Sequence, residues 1–128
     1  MTRRQRDVVE YFPHDAGASD GDTITILESQ FGNDGYAFWF KLLERLAAAE
    51  GHFIDCNDSL KWQLLCAKAH STPEKAITIV DMLANLNAID RELWQSRLIW
   101  SQHLVDNVAT VYRNRNRIPP SNPLVTDK

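Results

Sequence analysis

The segment "NDSLKWQLLCAKAHSTPEKAITIVDMLANLNA", residues 57–88, contains two helical patterns separated by a short polar break. In the first pattern Leu60, Leu64 and Ala67 repeat at helical spacing, which favours an amphipathic helix. The cap candidates at its amino end are Asp58 and Ser59. We therefore predict a first helix whose apolar face is formed by Leu60, Leu64 and Ala67.

The break "HST", residues 70–72, leads into a second helix. Thr72 is predicted as its N-cap and Pro73 as its first residue, where the fixed φ of proline fits and no N–H is needed. The inner face of this helix is predicted to consist of Ala76, Ile79, Val80, Leu83 and Leu86. Two helices joined by a tight polar turn indicate a helix-turn-helix.

Upstream, "NDGYAFWFKLLERLAAAEG", residues 33–51, is the strongest helical pattern, with Asn33 or Asp34 as its cap and Gly51 as its end. Apolar residues cover most of its circumference, so such a helix needs covering on most sides. It is either the central helix of the domain or partly buried by a second subunit. The aromatic residues predicted to serve the core or self-association are Tyr36, Phe38, Trp39 and Phe40.

Three short apolar stretches are strand candidates. "HFID", residues 52–55, precedes the first turn helix, whereas 88–90 and 98–100 follow the second and are separated by a charged turn. We predict that 88–90 and 98–100 form a hairpin, the wing, with which "HFID" pairs. The fold class is therefore mainly α with a small β-hairpin wing, a winged helix-turn-helix with extra N- and C-terminal helices.

The extra helices lie at the two ends of the chain. "VVEYF", residues 8–12, is strand-like, and a short helix follows with Asp22 as its N-cap and Gly32 as its stop. Near the other end, Ser101 opens a helix in "SQHLVDNVATVYRNRNR" that becomes basic toward residue 117. Prolines then end it, so we predict one domain over residues 1–117 and a linker or tail over 118–128.

The polar loop "YFPHDAGASDGD", residues 11–22, combines His14 with several aspartates, which in principle suit a divalent metal. Its spacing matches no EF-hand loop. We predict a structural loop built on Phe12, Pro13, His14 and Asp15. No metal, cofactor or enzymatic activity is expected, and a small metal hydrolase using His14 and His52 has no supporting motif.

The net charge of −3 is unevenly distributed. Residues 7–112 hold seven Lys/Arg against 16 Asp/Glu, a net of −9, whereas the two ends are rich in arginine. Affinity for phosphate is therefore expected from the two ends of the chain and from the local arrangement of basic residues.

Two cysteines, Cys56 and Cys66, are interpreted as free thiols. No apolar run is long enough to span a membrane and no secretory signal is present, so a cytoplasmic protein of a bacterial host is expected.

The stretch "EYFPHDAGASDGDTITILESQFGNDGYAFWFKLLERLAAAEGHFID", residues 10–55, resembles the N-terminal domain of phage and prophage replication-initiation proteins, the DnaD-like replisome organisers. "LIWSQHLVDNVATVYRNRNR", residues 98–117, is similar to that group too. The resemblance covers 9–117 and is most specific at 12–15 and 35–36. It implies a winged-helix module that binds DNA near an origin and self-associates, and a further C-terminal region that contacts the replicative helicase or its loader.

On this basis the sequence predicts a DNA-binding domain. The candidate DNA contacts are Arg3, Arg4, Arg6, Ser71, Thr72, Lys75, Thr78, Arg91, Arg97, Arg113, Arg115 and Arg117. Glu74 and Asp81 share the surface of the second turn helix and weaken the case for its insertion into the major groove. The alternative is therefore a winged-helix adaptor that binds only proteins.

Overall fold

The structure is a computed structural model that describes residues 7–14 and 16–123. The predictions made for Arg3, Arg4, Arg6 and Asp15 lie outside the described residues. The described helices are α1 Asp22–Phe31, α2 Asn33–Ala48, α3 Ser59–Lys68, α4 Pro73–Asn85, α5 Arg91–Gln95, α6 Gln102–Asn107 and α7 Ala109–Asn114. The described strands are β1 Phe53–Asp55 and β2 Leu98–Trp100, and two short 3-10 turns occupy Ala18–Asp20 and Glu50–His52.

The predicted fold class is confirmed: the chain is mostly helical, with a small two-stranded antiparallel sheet, as in a winged helix. The "HFID" strand was predicted to pair with the hairpin, and it pairs with 98–100, with Phe53 opposite Trp100 and Asp55 opposite Leu98. Helix α4 also buries four of the five residues of its predicted face, since Ala76, Ile79, Val80 and Leu83 have no exposed surface. The fifth, Leu86, follows the end of the helix and is half-buried.

The wing differs from the prediction. Residues 88–90 do not form a strand, and the charged turn after them is helix α5. The reason is a cap, because the Asp90 side chain accepts a hydrogen bond from the Leu93 N–H at 2.9 Å and Leu93 itself is fully buried. Of the predicted pairing between 88–90 and 98–100, one backbone hydrogen bond is present, from the Asp90 N–H to the Trp100 carbonyl at 2.9 Å.

The buried face of α3 also differs from the prediction. Leu60 and Leu64 are 63% and 39% exposed, and the face packed on the core carries Leu65 and Cys66 instead. Apolar residues occur around most of this short helix, so periodicity alone does not select a face. The packing of α3 against α2 and α4 makes that selection.

Segment 8–12, predicted as a strand, has no strand partner among the described residues. Val9 is buried, and its N–H donates to the carbonyl of Ala47 at 3.0 Å. Ala47 belongs to the last turn of α2, where carbonyls lack a partner within the helix. The opening segment therefore closes the end of α2 rather than extending a sheet.

Several predicted helix boundaries are confirmed, although α2 ends at Ala48 and not at Gly51. Thr72 accepts a bond from the Lys75 N–H at 3.2 Å and precedes Pro73, and Asp58 and Ser101 cap α3 and α6. The caps proposed for the first two helices were wrong, because Gly21 and Gly32 hold those positions. The predicted C-terminal helix is divided at Val108 into α6 and α7.

Helix α2 lies at the centre of the domain. Phe38, Leu42 and Leu46 are fully buried, and Trp39 is 7% exposed. After α7, residues 118–123 form no helix or strand, although the Asn122 amide donates to Asp90 at 2.9 Å. In the described part of the chain, no helix has the length and apolar character needed to cross a membrane.

Candidate nucleic-acid interface

The outward side of α4 is polar. Glu74, Thr78, Asp81 and Asn85 are exposed at helical spacing. Asn85 was not predicted as a contact, although it lies seven residues after Thr78 and an asparagine amide can pair with an adenine edge. This helix therefore presents side chains suited to base edges, together with two carboxylates.

The polar groups predicted to contact DNA around the turn already have partners within the chain. The hydroxyls of Ser71 and Thr78 donate to the carbonyls of Thr72 and Glu74, at 3.0 and 3.1 Å. Lys75 forms an ion pair with Asp34. That pair is exposed, and exposed pairs contribute little net energy, so Lys75 can exchange its partner at low cost.

Asp81 is held by two groups from the region after α4. The Trp94 indole N–H donates to its carboxylate at 2.6 Å, and a guanidinium nitrogen of Arg97 lies 4.0 Å away. Arg97 also stacks over the Trp94 ring, 4.5 Å from its centroid. The predicted wing arginine Arg97 thus lies beside α4 and compensates one of its acids, whereas Arg91 is exposed at the start of α5.

The arginine-rich C-terminal end lies against the described start of the chain, residues 7 and 8. A guanidinium N–H of Arg115 donates to the Val8 carbonyl at 3.0 Å, and Arg117 pairs with Asp7 at 2.8 Å. Arg113 is exposed. In the sequence, Asp7 follows Arg3, Arg4 and Arg6. We call residues 113–117 and the start of the chain up to residue 8 the basic end.

A buried histidine anchors this end. His52 is fully buried, and its Nδ1 donates to the Leu46 carbonyl at 3.0 Å. Its Nε2 accepts from the Tyr112 hydroxyl at 2.5 Å. Burial is the main cause that lowers the pKa of His52; the Leu46 carbonyl and the carboxylates of Asp7 and Glu50 oppose it, and Arg115 adds to it. This pair fixes α7, from which the C-terminal arginines extend.

The lowered pKa of His52 predicts a loss of stability in acid. The unfolded chain binds a proton at this histidine as the pH falls through about 6.5, whereas folded His52 stays neutral to a lower pH. Acid therefore favours the unfolded state. Urea unfolding at about pH 7.5 and about pH 5.5 should show this loss.

The matched controls are two histidine variants. His52→Asn tolerates the backbone φ of 58° and should remove the His52 part of the pH dependence. His103→Asn changes an exposed histidine and should keep that dependence. An unchanged pH slope in His52→Asn would contradict the assignment.

The aromatic residues predicted for self-association divide into two pairs. Phe38 and Trp39 are buried in the core of the single chain, so little or none of their surface is left for a second subunit. Tyr36 and Phe40 are half-buried and contact His14. The His14 Nε2 forms a hydrogen bond with the Tyr36 hydroxyl at 3.0 Å, and the His14 ring stacks on the Phe40 ring with 4.3 Å between the centroids. These contacts support the structural role predicted for the loop.

The loop's other predicted members, Phe12 and Pro13, line a cleft of about 440 Å³ beside α2 and α6.

No group of three or more His, Cys, Asp or Glu side chains is placed to hold a metal within the described residues. Cys56 and Cys66 are free thiols, and burial raises the pKa of both, that of Cys56 to about 12. Neither thiol is activated for nucleophilic chemistry.

The fold and this surface define a small winged-helix-like domain with a helix-turn-helix. The family model described as "Lin1244/Lin1753-like, N-terminal" matches residues 11–104, and the chain belongs to that family. No curated protein and no solved structure matches the chain. The matched residues begin at the polar loop and end in α6, so the basic end lies mostly outside them.

Proposed function

We propose that this chain is a DNA-binding domain whose affinity comes from the basic end and whose orientation is set by α4. The packing of the arginine-rich C-terminal end against the start of the chain, through Arg115 on Val8 and Arg117 on Asp7, is the observation that supports this proposal most directly. Clustered arginines release the counterions of duplex DNA when they contact phosphate. A domain whose body is acidic needs such a cluster to overcome the repulsion.

The helix-turn-helix supplies the second part of the proposal. Helix α4 has 13 residues, about 20 Å at 1.5 Å per residue, and its outward side is exposed. Thr78 and Asn85 would then contact base edges, and Lys75 would exchange Asp34 for a phosphate. Arg97 offsets the charge of Asp81, so Glu74 is the main repulsive group on this side.

The biological setting is proposed from the resemblance to replication-initiation proteins of phages and prophages. In that setting the domain would bind duplex DNA near an origin in the cytoplasm and self-associate through Tyr36 and Phe40, the aromatic pair that keeps exposed surface. The replicative helicase or its loader would be contacted by a further C-terminal region. The domain would act by binding, without catalysis.

Duplex affinity should fall steeply with salt, and it should fall less steeply once the basic end is neutralised. The variant combines Arg113→Ala with alanine at Arg3, Arg4 and Arg6, and spares Arg115 and Arg117 because they also brace the fold. Each arginine that contacts phosphate contributes about 0.9 to the slope of log K against log salt. Fluorescence anisotropy with a labelled duplex measures the slope.

Lys41→Ala is the control, because Lys41 is an exposed cation on α2 outside the basic end. It should leave the slope unchanged. Binding that is absent, independent of salt or equally reduced by Lys41→Ala would reject the proposal.

The alternative function is a protein-binding adaptor, and the two carboxylates on the outward side of α4 favour it. A pull-down from host lysate after nuclease treatment separates the two functions. An adaptor keeps its partner, whereas a domain held only through DNA loses it.

A further inference from the structure

Helix α3 exposes an apolar stripe to solvent. Leu60 is 63% exposed and Leu64 39%, with exposed Ala67 next along the same side. Phe53 of β1, 37% exposed, lines a cleft together with Lys61 and Leu65 of α3. These apolar residues recur on one exposed helix face rather than singly, which is the arrangement expected of an interaction surface.

A cleft of about 270 Å³ continues this surface between α2, β1 and α3. Its apolar wall includes Ala48, Phe53 and Leu65, and its basic side chains are Arg45 and Lys61. Around the axis of α3, at 3.6 residues per turn, Lys61 lies between Leu64 of the stripe and Leu65 of the cleft, so the two features border each other. Together they form one surface, which we call the α3 surface.

The α3 surface is basic in a domain whose body is acidic. Residues 59–73 contain no Asp or Glu, and Lys61 and Lys68 lie seven residues apart, on the same side of α3. Arg45, Lys61 and Lys68 form no ion pair with any described residue. Glu50 is the one acid in the cleft, and its carboxylate already accepts the Asp7 N–H at 3.1 Å.

We propose that the α3 surface docks an acidic amphipathic helix of a partner protein. Leu60, Leu64 and Ala67 follow the i, i+4, i+7 spacing of a face that receives the apolar side of another helix. The flanking cations select acidic residues on the rim of that partner helix. This docking is independent of the DNA contacts proposed above, which use other residues.

Two other occupants fit less well. A symmetric contact with a second copy would place Lys61 and Lys68 opposite basic residues of the same patch. Duplex DNA would leave Leu60 and Leu64 without an apolar partner against the phosphates. A helix with leucines on one side and glutamates on the rim satisfies both features of the α3 surface.

The probes are two synthetic helical peptides of about 18 residues with the same leucine face, one with glutamate and one with lysine on the flanking positions. We expect the glutamate peptide to shift the amide resonances of α3 and β1 in NMR titrations. It should bind at least about tenfold more tightly than the lysine peptide by anisotropy. This comparison uses the unaltered chain and depends on no variant.

Variants then test the apolar stripe and the flanking cations of the α3 surface separately. The double variant Leu60→Ser, Leu64→Ser should bind the glutamate peptide with an affinity lower by about tenfold or more. The double variant Lys61→Glu, Lys68→Glu should instead bind the lysine peptide more tightly than the glutamate peptide. Ile26→Ser is the matched control, because Ile26 is a 37% exposed apolar residue on α1, and it should change nothing. All these positions are exposed, so thermal unfolding should be close to that of the unaltered chain.

Equal binding of both peptides, no binding of either, or shifts confined to other elements would overturn the proposal. So would a dimer in light scattering that the two leucine substitutions abolish, because the occupant would then be a second copy. A loss of duplex affinity in Lys61→Glu with Lys68→Glu as large as that from neutralising the basic end would assign the surface to nucleic acid instead.

Discussion

Replacing Gly35 by alanine is expected to lower the free energy of unfolding by about 2 kcal/mol or more. Gly35 lies in the first turn of α2, where this helix passes against α1. A Cβ at this position would lie 2.7 Å from the Leu27 carbonyl oxygen and 3.0 Å from the Leu27 carbonyl carbon. Both are backbone atoms of a helix, so the two helices must separate and uncover part of the core.

Alanine also stabilises a helix relative to glycine, but only by about 1 kcal/mol, so this gain does not offset the cost of separating the helices. Gly21→Ala is the matched control. Gly21 has a φ of −69° and its Cβ would meet no atom closer than 3.4 Å, so the change should cost only about 1 kcal/mol or less, the effect of exchanging a glycine N-cap for alanine. Urea denaturation of the two variants measures both values. Equal stability of Gly35→Ala and the unaltered chain would contradict the close contact between α1 and α2.

Replacing Tyr112 by alanine is expected to cost about 3–5 kcal/mol, because its ring is fully buried and its removal leaves a cavity. The His52 ring would also lose the hydroxyl that donates to its Nε2. Helix α7 is short and has no side-chain cap, so it has little stability of its own. The loss should therefore release the C-terminal arginines from Val8 and Asp7.

Tyr112→Phe separates these effects, because it keeps the ring and removes only the hydrogen bond. We expect it to cost about 1–2 kcal/mol, the penalty for one buried acceptor left unpaired. Denaturant unfolding gives both free energies, and limited trypsin digestion reports the release of the arginines. Cleavage after Arg113, Arg115 and Arg117 should be much faster in Tyr112→Ala than in Tyr112→Phe. Equal cleavage rates would show that Tyr112 does not hold the basic end.

The candidate site could be predicted in part. The helix-turn-helix, its Thr72 cap and the position of α4 follow from local signals, because a capping side chain and a proline act within one turn of the chain. The partners of Arg115 and Arg117 are more than 100 residues away in the sequence, and no local pattern links them. Asn85, Lys61 and Lys68 were detectable by their seven-residue spacing but carried no motif that singled them out.

The sequence by itself determined where several helices begin and end and the inner face of α4. These features depend on caps, prolines and the strong periodicity of long apolar segments, which operate over a few residues. Only the tertiary structure decided which face of α3 is buried, that β1 pairs with β2 at 98–100, and that the opening segment closes α2. In those segments several local arrangements have similar energies, so burial against distant residues makes the choice.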